Sequence, residues 1–196
     1  MKPRSAAIER KTRETDIRLR LNLDGAGKAR VKTGIGFLDH MLELLAVHAG
    51  MDLDLSAKGD LRVDAHHTVE DIGICLGEGI RKALGGKEGI ARYGFCSIPM
   101  DEALVSVALD VSGRPHLSYR VKAGRKKIDA FDTQLVEEFL QALVNHAGLT
   151  LHVELVSGRN AHHIIEAVFK GVARALGTAV ARTGASRGIP STKGML

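Results

Sequence analysis

The second half of this 196-residue chain repeats the first, and this duplication limits the folds that the chain can adopt. Residues 37–55, FLDHMLELLAVHAGMDLDL, align with residues 135–153, LVEEFLQALVNHAGLTLHV, at an offset of 98. Each segment has the apolar spacing of an amphipathic helix, then His-Ala-Gly, then the alternation of a strand. Gly50 and Gly148 follow the two helical patterns, where a helix C-terminus favours glycine.

The repeat extends to both sides of these segments. AHHTVEDIGICLGEGIRKALG, which begins at Ala65, aligns with AHHIIEAVFKGVARALG, which begins at Ala161, at an offset of 96. Each half also opens with alternating strands, such as DIRLRLNLD at 16–24 and ALVSVALDV at 103–111. The residues predicted to be buried on the first of these strands are Ile17, Leu19, Leu21 and Leu23. Each half is therefore expected to contain about three strands, a helix, a strand and a helix.

This order predicts an α+β fold made by duplication. Helices that lie on one face of a sheet must bury their apolar sides. Two such units can do this by packing back to back through their helices. We assign residues 1–93 to the first repeat and residues 94–196 to the second, within one compact domain.

The composition favours a globular protein outside the membrane and the secretory route. Hydrophobic residues make up 44% and charged residues 26% of the chain, and no apolar run is long enough to span a bilayer. The charged N-terminal stretch lacks the apolar region of a secretory signal. Cys75 and Cys96 have no metal-type spacing, so we expect two reduced thiols in a cytoplasmic protein.

The net charge of +5 raises the question of an anionic partner. Nucleic acid is one candidate, but the basic residues are scattered and aromatic residues make up only 4% of the chain, so no stacking platform is evident. A small phosphorylated substrate suits this charge at least as well. We expect neither a nucleic-acid nor a membrane partner.

The phrase His-His-x-x-Glu occurs at the start of two helical patterns, in DAHHTVED at 64–71 and NAHHIIEA at 160–167. On a helix, His66 and Glu70 share a face, whereas His67 points about 100° away from His66. Adjacent histidines therefore suit two ions on different sides of the helix. Two matched pairs, each with its own glutamate, favour metal binding over surface or capping histidines.

The duplication predicts further ligands. His40 in FLDHM aligns with Glu138 in VEEFL at the offset of 98, and both residue types bind metals. Under pseudo-twofold symmetry, one ion would be bound by His40, His67, His162 and Glu166. The other ion would be bound by His66, Glu70, Glu138 and His163. Nitrogen and oxygen ligands without sulfur favour manganese, iron or another ion that accepts more than four ligands and leaves positions for substrate.

Eight short motifs follow one another along the chain. They are R-x-T-x-E-T (10–15), GIGFLDHM (34–41), D-x-HHTVED (64–71), RYG (92–94), PMDEAL (99–104), SGRP (112–115), HHIIEA-x-FK (162–170) and PSTKG (190–194). Together they resemble the imidazoleglycerol-phosphate dehydratase family of histidine biosynthesis over nearly the whole chain.

This resemblance implies an enzyme that removes water from D-erythro-imidazoleglycerol phosphate to give imidazole acetol phosphate. It implies two manganese ions per site, a duplicated ferredoxin-like unit with helices packed between two sheets, and 24 subunits with active sites at their contacts. The implied ligands are His40, His66, His67, Glu70, His162, His163 and Glu166. The eighth position, histidine in some members, is Glu138 here.

The resemblance also implies which residues contact the substrate. They are Glu14, Arg92, Arg114, Lys170, Thr192 and Lys193. The basic members can hold a phosphate, arginine by paired hydrogen bonds and lysine as a point charge. The polar, glycine-bearing STKG segment is typical of a loop that closes over an anion.

The reaction explains these residue types. The proton that the substrate loses is poorly acidic because no carbonyl stands beside it. An imidazole ring held as its anion between two divalent ions can expel the hydroxyl from the adjacent carbon and then accept electrons as the proton leaves. We expect Glu14 to be the base, and the residues expected to act in catalysis are Glu14, His40, His67 and Glu166.

Two other functions use parts of the same sequence. A basic RNA-binding module would suit the duplicated α+β units and the pI of about 9.4, but it makes no use of the paired histidines. A di-metal hydrolase would use the same ligands, and analysis of the product would separate it from a lyase.

Overall fold

The computed structural model describes residues 3–124, 127–129, 131–184 and 188–194. The first half contains β1 (Ser5–Lys11), β2 (Thr15–Asn22), β3 (Ala29–Lys32), α1 (Gly36–Ala49), β4 (Asp52–Gly59) and α2 (His66–Leu84). The second half contains β5 (Tyr93–Met100), β6 (Ala103–Asp110), β7 (His116–Arg120), β8 (Lys127–Ile128), β9 (Phe131–Asp132), α3 (Leu135–Ala147), β10 (Thr150–Ser157) and α4 (Ala161–Val180).

The two halves build the same four-stranded sheet. The strand order is β1-β2-β4-β3 in the first and β5-β6-β10-β7 in the second. In each sheet the first three strands are antiparallel, and the edge strand β3 or β7 runs parallel to its neighbour. The short strands β8 and β9 form a separate antiparallel pair. The predicted boundary between residues 93 and 94 falls at the first residue of β5.

The α+β class and the duplication are confirmed. Each half runs β-β-β-α-β-α, apart from the added β8–β9 pair, whereas a ferredoxin-like unit runs β-α-β-β-α-β. The halves share with that unit a four-stranded sheet with two helices on one face, and they differ from it in chain order. The glycines that end α1 and α3, Gly50 and Gly148, both adopt the left-handed conformation with φ of 69°.

The four helices form a layer between the two sheets. Helix α2 packs on β1 and β2, and α4 packs on β5 and β6. Across the layer, α1 contacts α4 and α2 contacts α3. The inward residues of β2 are buried as predicted: Ile17, Leu19, Leu21 and, just after the strand, Leu23. This packing brings α1 beside the start of α4 and α3 beside the start of α2.

Among the described residues, no helix combines the length and the apolar character needed to cross a bilayer.

Helices α2 and α3 approach closely because α2 presents glycines to α3. A Cβ added at Gly73 would lie 2.6 Å from the Phe139 carbonyl oxygen, and one at Gly77 would lie 2.7 Å from that of Leu143. We expect Gly73→Ala to lower the free energy of unfolding by about 1–3 kcal/mol, because overpacking must move the helices apart. Chemical denaturation of the metal-free protein measures this change.

Gly36→Ala is the matched control, because an added Cβ there meets no atom within 4 Å. Alanine has a higher helix propensity than glycine by about 1 kcal/mol, so the control should be neutral or stabilising. A Gly73→Ala protein that is as stable as the Gly36→Ala protein would contradict the proposed close approach.

Candidate active site

Both His-His pairs lie in the first turn of a helix, and a nearby side chain caps each helix. Asn160 precedes α4, and its side-chain oxygen accepts a hydrogen bond from the His162 backbone N–H at 2.9 Å. Asp64 does the same for the His66 backbone N–H at 2.8 Å. These caps satisfy donors that a helix N-terminus leaves free and fix where the histidines begin.

The first histidine of each pair faces the glutamate one turn later. His162 Nε2 lies 3.2 Å from Glu166 Oε2, and His66 Nε2 lies 3.8 Å from Glu70 Oε2. The two rings of each pair are nearly perpendicular, at 82° for His162 and His163 and 86° for His66 and His67. Adjacent histidines therefore point in different directions, as the helical spacing predicts.

His40, on α1, lies close to His162 and Glu166 on α4. Its Nε2 lies 3.9 Å from Glu166 Oε2, and the three ligand atoms of His40, His162 and Glu166 lie within 4.8 Å of one another. These residues are called the His40 group below. Helix α1 supplies His40 to this group because α1 packs directly against α4.

Glu166 is the buried centre of the His40 group, with 7% of the residue exposed. Its Oε1 accepts a hydrogen bond from Lys170 Nζ at 2.6 Å, which leaves Oε2 directed at the two histidines. Burial works to raise the pKa of Glu166, but Lys170 and His162 outweigh it and hold that pKa below its ordinary value. Glu166 is therefore an ionised carboxylate at neutral pH.

His67 belongs to a second group with Glu14 and Asp60. Its Nδ1 lies 3.0 Å from Asp60 Oδ2 and 3.8 Å from Glu14 Oε2. These residues are called the His67 group below. The hydrogen bond to Asp60 raises the pKa of His67 above its ordinary value. The other oxygen of Asp60 is buried without a hydrogen-bond partner among the described residues.

The R-x-T-x-E-T motif explains how Glu14 reaches this group. Arg10 Nε and Thr15 Oγ1 donate hydrogen bonds to the two oxygens of Asp71, at 2.8 and 2.5 Å, so the β1–β2 turn is tied to α2. Thr12 Oγ1 accepts from the backbone N–H of Glu14 at 3.0 Å. The motif thus fixes the turn that carries Glu14 beside the first turn of α2.

His163, the second histidine on α4, contacts acidic residues of the β5–β6 turn. Its Nδ1 lies 2.7 Å from Glu102 Oε2, and its Nε2 lies 3.6 Å from Asp101 Oδ2. The hydrogen bond from His163 lowers the pKa of Glu102 to about 2, and the same contact raises the pKa of His163.

The predicted ion sets are only partly assembled within one chain. Three of the four residues predicted for one ion converge in the His40 group, and the fourth, His67, lies in the other group. For the second ion, His66 and Glu70 lie within 4 Å of each other. Glu138 is exposed on α3 and belongs to neither group of convergent ligand atoms among the described residues.

The His40 group suits a divalent metal ion. Two imidazole nitrogens and one ionised carboxylate form a set without sulfur, which manganese, iron and zinc accept. Manganese prefers about six ligands in octahedral geometry, so three side chains from one chain leave room for further protein ligands and for substrate.

Four of the predicted substrate residues line one cavity of about 720 Å³ at the start of β5. Its lining comprises Arg92, Tyr93, Arg114, Pro190, Ser191, Thr192 and Lys193. Lys170 lies instead beside the His40 group, and Glu14 belongs to the His67 group. The positive lining of the cavity suits an anion such as a phosphate.

Arg92 has a structural as well as an electrostatic role in this cavity. Its guanidinium donates two hydrogen bonds to Asp110, at 2.8 and 3.2 Å, and a third to the Pro190 carbonyl oxygen at 2.8 Å. The bonds to Asp110 raise the pKa of Arg92, and the bond to Pro190 holds the segment that carries Thr192 and Lys193 against the second sheet.

Sequence reasoning missed Asp60 and Glu102, because acidic residues in turns are common. One signal was available for Glu102. It immediately precedes β6, as Glu14 immediately precedes β2, so the two glutamates occupy matched positions of the duplication. Each reaches the second histidine of the pair in its own half.

Comparisons with known proteins agree on one family. The family model described as imidazoleglycerol-phosphate dehydratase matches residues 33–176. The chain is 59% identical to the imidazoleglycerol-phosphate dehydratase of Azorhizobium caulinodans over 194 residues, covering 98% of each chain. It is 55% identical to that of Oceanobacillus iheyensis over 193 residues, covering 98% of this chain and all of the relative.

Solved structures of the same enzyme have the same fold. The crystal structure of imidazoleglycerol-phosphate dehydratase from Staphylococcus aureus superposes with a TM-score of 0.81 at 40% identity, covering 91% of this chain and 99% of the other. The Pyrococcus furiosus structure superposes with a TM-score of 0.83 at 40% identity, covering 96% and 100%.

Proposed function

This chain belongs to the imidazoleglycerol-phosphate dehydratase family, and we propose that it converts D-erythro-imidazoleglycerol phosphate to imidazole acetol phosphate and water in histidine biosynthesis. The observation that carries the proposal is the convergence of His40, His162 and Glu166 in one group of candidate metal ligands, with Lys170 bonded to Glu166. Both cysteines are free thiols, which agrees with a cytoplasmic enzyme.

The proposed reaction uses two manganese ions per active site. One ion would be held by His40, His67, His162 and Glu166. The other would be held by His66, Glu70, Glu138 and His163. When bound, the ions would stabilise the anionic form of the substrate imidazole, which could expel the hydroxyl from the adjacent carbon and then accept electrons as the proton leaves.

The side chains of this chain would then carry out the proton movements. The hydroxyl leaves the carbon attached to the ring, and a proton leaves the next carbon, so that water is lost and an enol forms. The enol becomes the ketone of the product when the carbon attached to the ring gains a proton. Glu14, exposed on its turn 3.8 Å from His67, is the proposed base.

The same geometry supports an oligomer with shared active sites. The His40 group and the His67 group are separate within one chain, although one proposed ion needs residues of both. We propose that a second copy of the chain brings its His67 and Glu14 to the His40 group, in a homo-oligomer of 24 subunits. Metal binding would then stabilise the assembly by mass action.

The cavity lined by Arg92 and Arg114 is the proposed phosphate site. We expect Arg114→Ala to raise KM about 10- to 150-fold, which corresponds to the loss of about 1.5–3 kcal/mol from a charge-assisted hydrogen bond. Arg92→Ala should raise KM at least as much, because it also releases the Pro190 carbonyl from its hydrogen bond. Steady-state kinetics with varied substrate measure both effects.

Arg120→Ala is the control, since Arg120 is an exposed arginine of the same sheet that is not part of the cavity lining. It should leave KM unchanged. A normal KM in both the Arg92→Ala and Arg114→Ala proteins would place the phosphate elsewhere.

The proposed function is tested by incubating the purified protein with imidazoleglycerol phosphate and identifying the product. Imidazole acetol phosphate that forms with manganese, and stops forming after chelation, is the expected result. Release of inorganic phosphate instead would identify a hydrolase and contradict the proposal.

A further inference from the structure

The second histidine of each His-His pair has its Nδ1 turned towards a carboxylate. His163 Nδ1 lies 2.7 Å from Glu102 Oε2, and His67 Nδ1 lies 3.0 Å from Asp60 Oδ2. The first histidine of each pair makes a different contact, through Nε2 to the glutamate of its own helix. In both halves, therefore, the first histidine of the pair contacts a carboxylate through Nε2 and the second through Nδ1.

These contacts decide which ring nitrogen carries the hydrogen. An ionised carboxylate can only accept a hydrogen bond, so Nδ1 of His67 and of His163 must be the donor. In the neutral ring Nε2 then has the free lone pair, which is the atom that can bind a metal ion.

The carboxylate of Glu102 is itself held in place. Its Oε1 accepts the backbone N–H of Arg159 at 3.2 Å and that of Asn160 at 2.8 Å, just before α4. Glu102 therefore receives hydrogen bonds on both oxygens and ties the β5–β6 turn to the helix that carries His163. Because both oxygens are engaged, Glu102 is poorly placed to be a metal ligand itself.

The two contacts come from positions that are not equivalent in the duplication. Asp60 follows β4, whereas Glu102 precedes β6 and is matched by Glu14. Glu14 lies 3.8 Å from His67 Nδ1, which is beyond hydrogen-bond distance, so the duplication alone does not explain why both histidines have a carboxylate hydrogen-bonded to Nδ1. A requirement that both histidines share, that each carries its hydrogen on Nδ1, would explain it.

We propose that Glu102 and Asp60 are positioning residues that hold His163 and His67 with the hydrogen on Nδ1 and direct Nε2 at the metal ions. This inference rests on the metal centre of the proposed function. Partners of this kind orient the ring of a metal-binding histidine and increase its affinity for the ion.

Glu102→Gln tests this role because it conserves the shape of the side chain. The two backbone N–H groups require an acceptor, so the new amide should direct its oxygen at them and its NH₂ at His163 Nδ1. His163 would then carry its hydrogen on Nε2 and lose its free lone pair there. We expect manganese affinity of the metal-stripped protein, measured by calorimetric titration, to fall about 10- to 100-fold at one site.

Glu102→Ala distinguishes this role from that of a simple tie between the turn and the helix. The alanine variant leaves His163 free to adopt either tautomer, so its loss of manganese affinity should be no greater than that of Glu102→Gln. Its melting midpoint in the metal-free state should be the lower of the two, since the tie is lost. Glu154→Gln, an exposed glutamate on β10, is the charge-matched control and should change neither quantity.

For Asp60, the amide and alanine variants should rank in the opposite order in their loss of manganese affinity. Its second oxygen has no hydrogen-bond partner among the residues that the structure describes, so in Asp60→Asn no described group keeps the amide from directing its oxygen at His67. We expect Asp60→Asn to lose less than about tenfold in manganese affinity and Asp60→Ala to lose more than Asp60→Asn.

Wild-type manganese affinity in Glu102→Gln, or a larger loss in Glu102→Ala than in Glu102→Gln, would overturn the positioning role of Glu102. A larger loss in Asp60→Asn than in Asp60→Ala would overturn that of Asp60. An unaltered protein that binds no manganese would overturn the metal centre and this inference with it. Normal manganese binding without dehydratase activity would overturn only the proposed reaction.

Discussion

Glu166→Gln is expected to lower kcat/KM by more than about a hundredfold, since even the indirect partners of metal-binding residues contribute 10- to 100-fold. The substitution conserves the shape of the buried side chain but removes the anionic oxygen on which His40 and His162 converge. It should also remove one of the two proposed ions. Steady-state kinetics and elemental analysis of the same preparation measure the two losses together.

Glu78→Gln is the matched control for this change. Glu78 is a helical glutamate whose carboxylate lies 3.5 Å from His146 Nδ1, so the control removes a similar Glu–His pair outside the two groups. It should leave both metal content and kcat/KM near those of the unaltered protein. If Glu166→Gln were as active as Glu78→Gln, Glu166 would have no part in the reaction.

Most of the fold was predictable because the duplication presents each pattern twice. The alternating pattern of β2 recurs in β6, and the helical spacing of α1 recurs in α3. Each prediction made for one half was therefore supported by the matching segment of the other half. The β8–β9 pair was not predictable, since strands of two residues are too short to show alternation. The chain order within each half followed from the patterns, whereas the ferredoxin-like description came from family resemblance and does not match that order.

The sequence suggested the residues of the candidate site, and the structure brings only some of the predicted groups together within one chain. Helical spacing places His66 with Glu70 and His162 with Glu166, and the structure shows both pairs. Spacing cannot show which helices meet across the layer, and it was the contact between α1 and α4 that brought His40 to Glu166.

The acidic partners of His67 and His163 show a further limit of sequence patterns. Asp60 and Glu102 lie in connections between elements, where acidic side chains are common for reasons of solubility and turn formation. Only the fold brings them within hydrogen-bond distance of the helical histidines. A pattern therefore indicates ligands on regular elements more readily than it indicates the residues that orient them.

The duplication predicts a metal ligand at Glu138, which occupies on α3 the position that His40 occupies on α1. If the two positions serve two symmetry-related ions, Glu138→Ala should halve the bound metal per subunit and leave the fold intact. The ion held by the His40 group would remain, because its own ligands are unchanged. Glu138→His should keep both ions and the activity, since histidine is also a competent ligand.

The alternative is that Glu138 is an exposed charge on a helix surface. On that view Glu138→Ala would change stability by less than about 0.5 kcal/mol and leave the metal content unchanged. Glu137→Ala is the matched control, because Glu137 lies in the same first turn of α3 and makes the same favourable contribution to the helix N-terminus, but points about 100° away. Elemental analysis decides between the two views: two tightly held ions in the Glu138→Ala protein, as in the Glu137→Ala protein, would remove Glu138 from the ligands. The two metal positions would then differ in their protein ligands, although the helices that carry them are copies of each other.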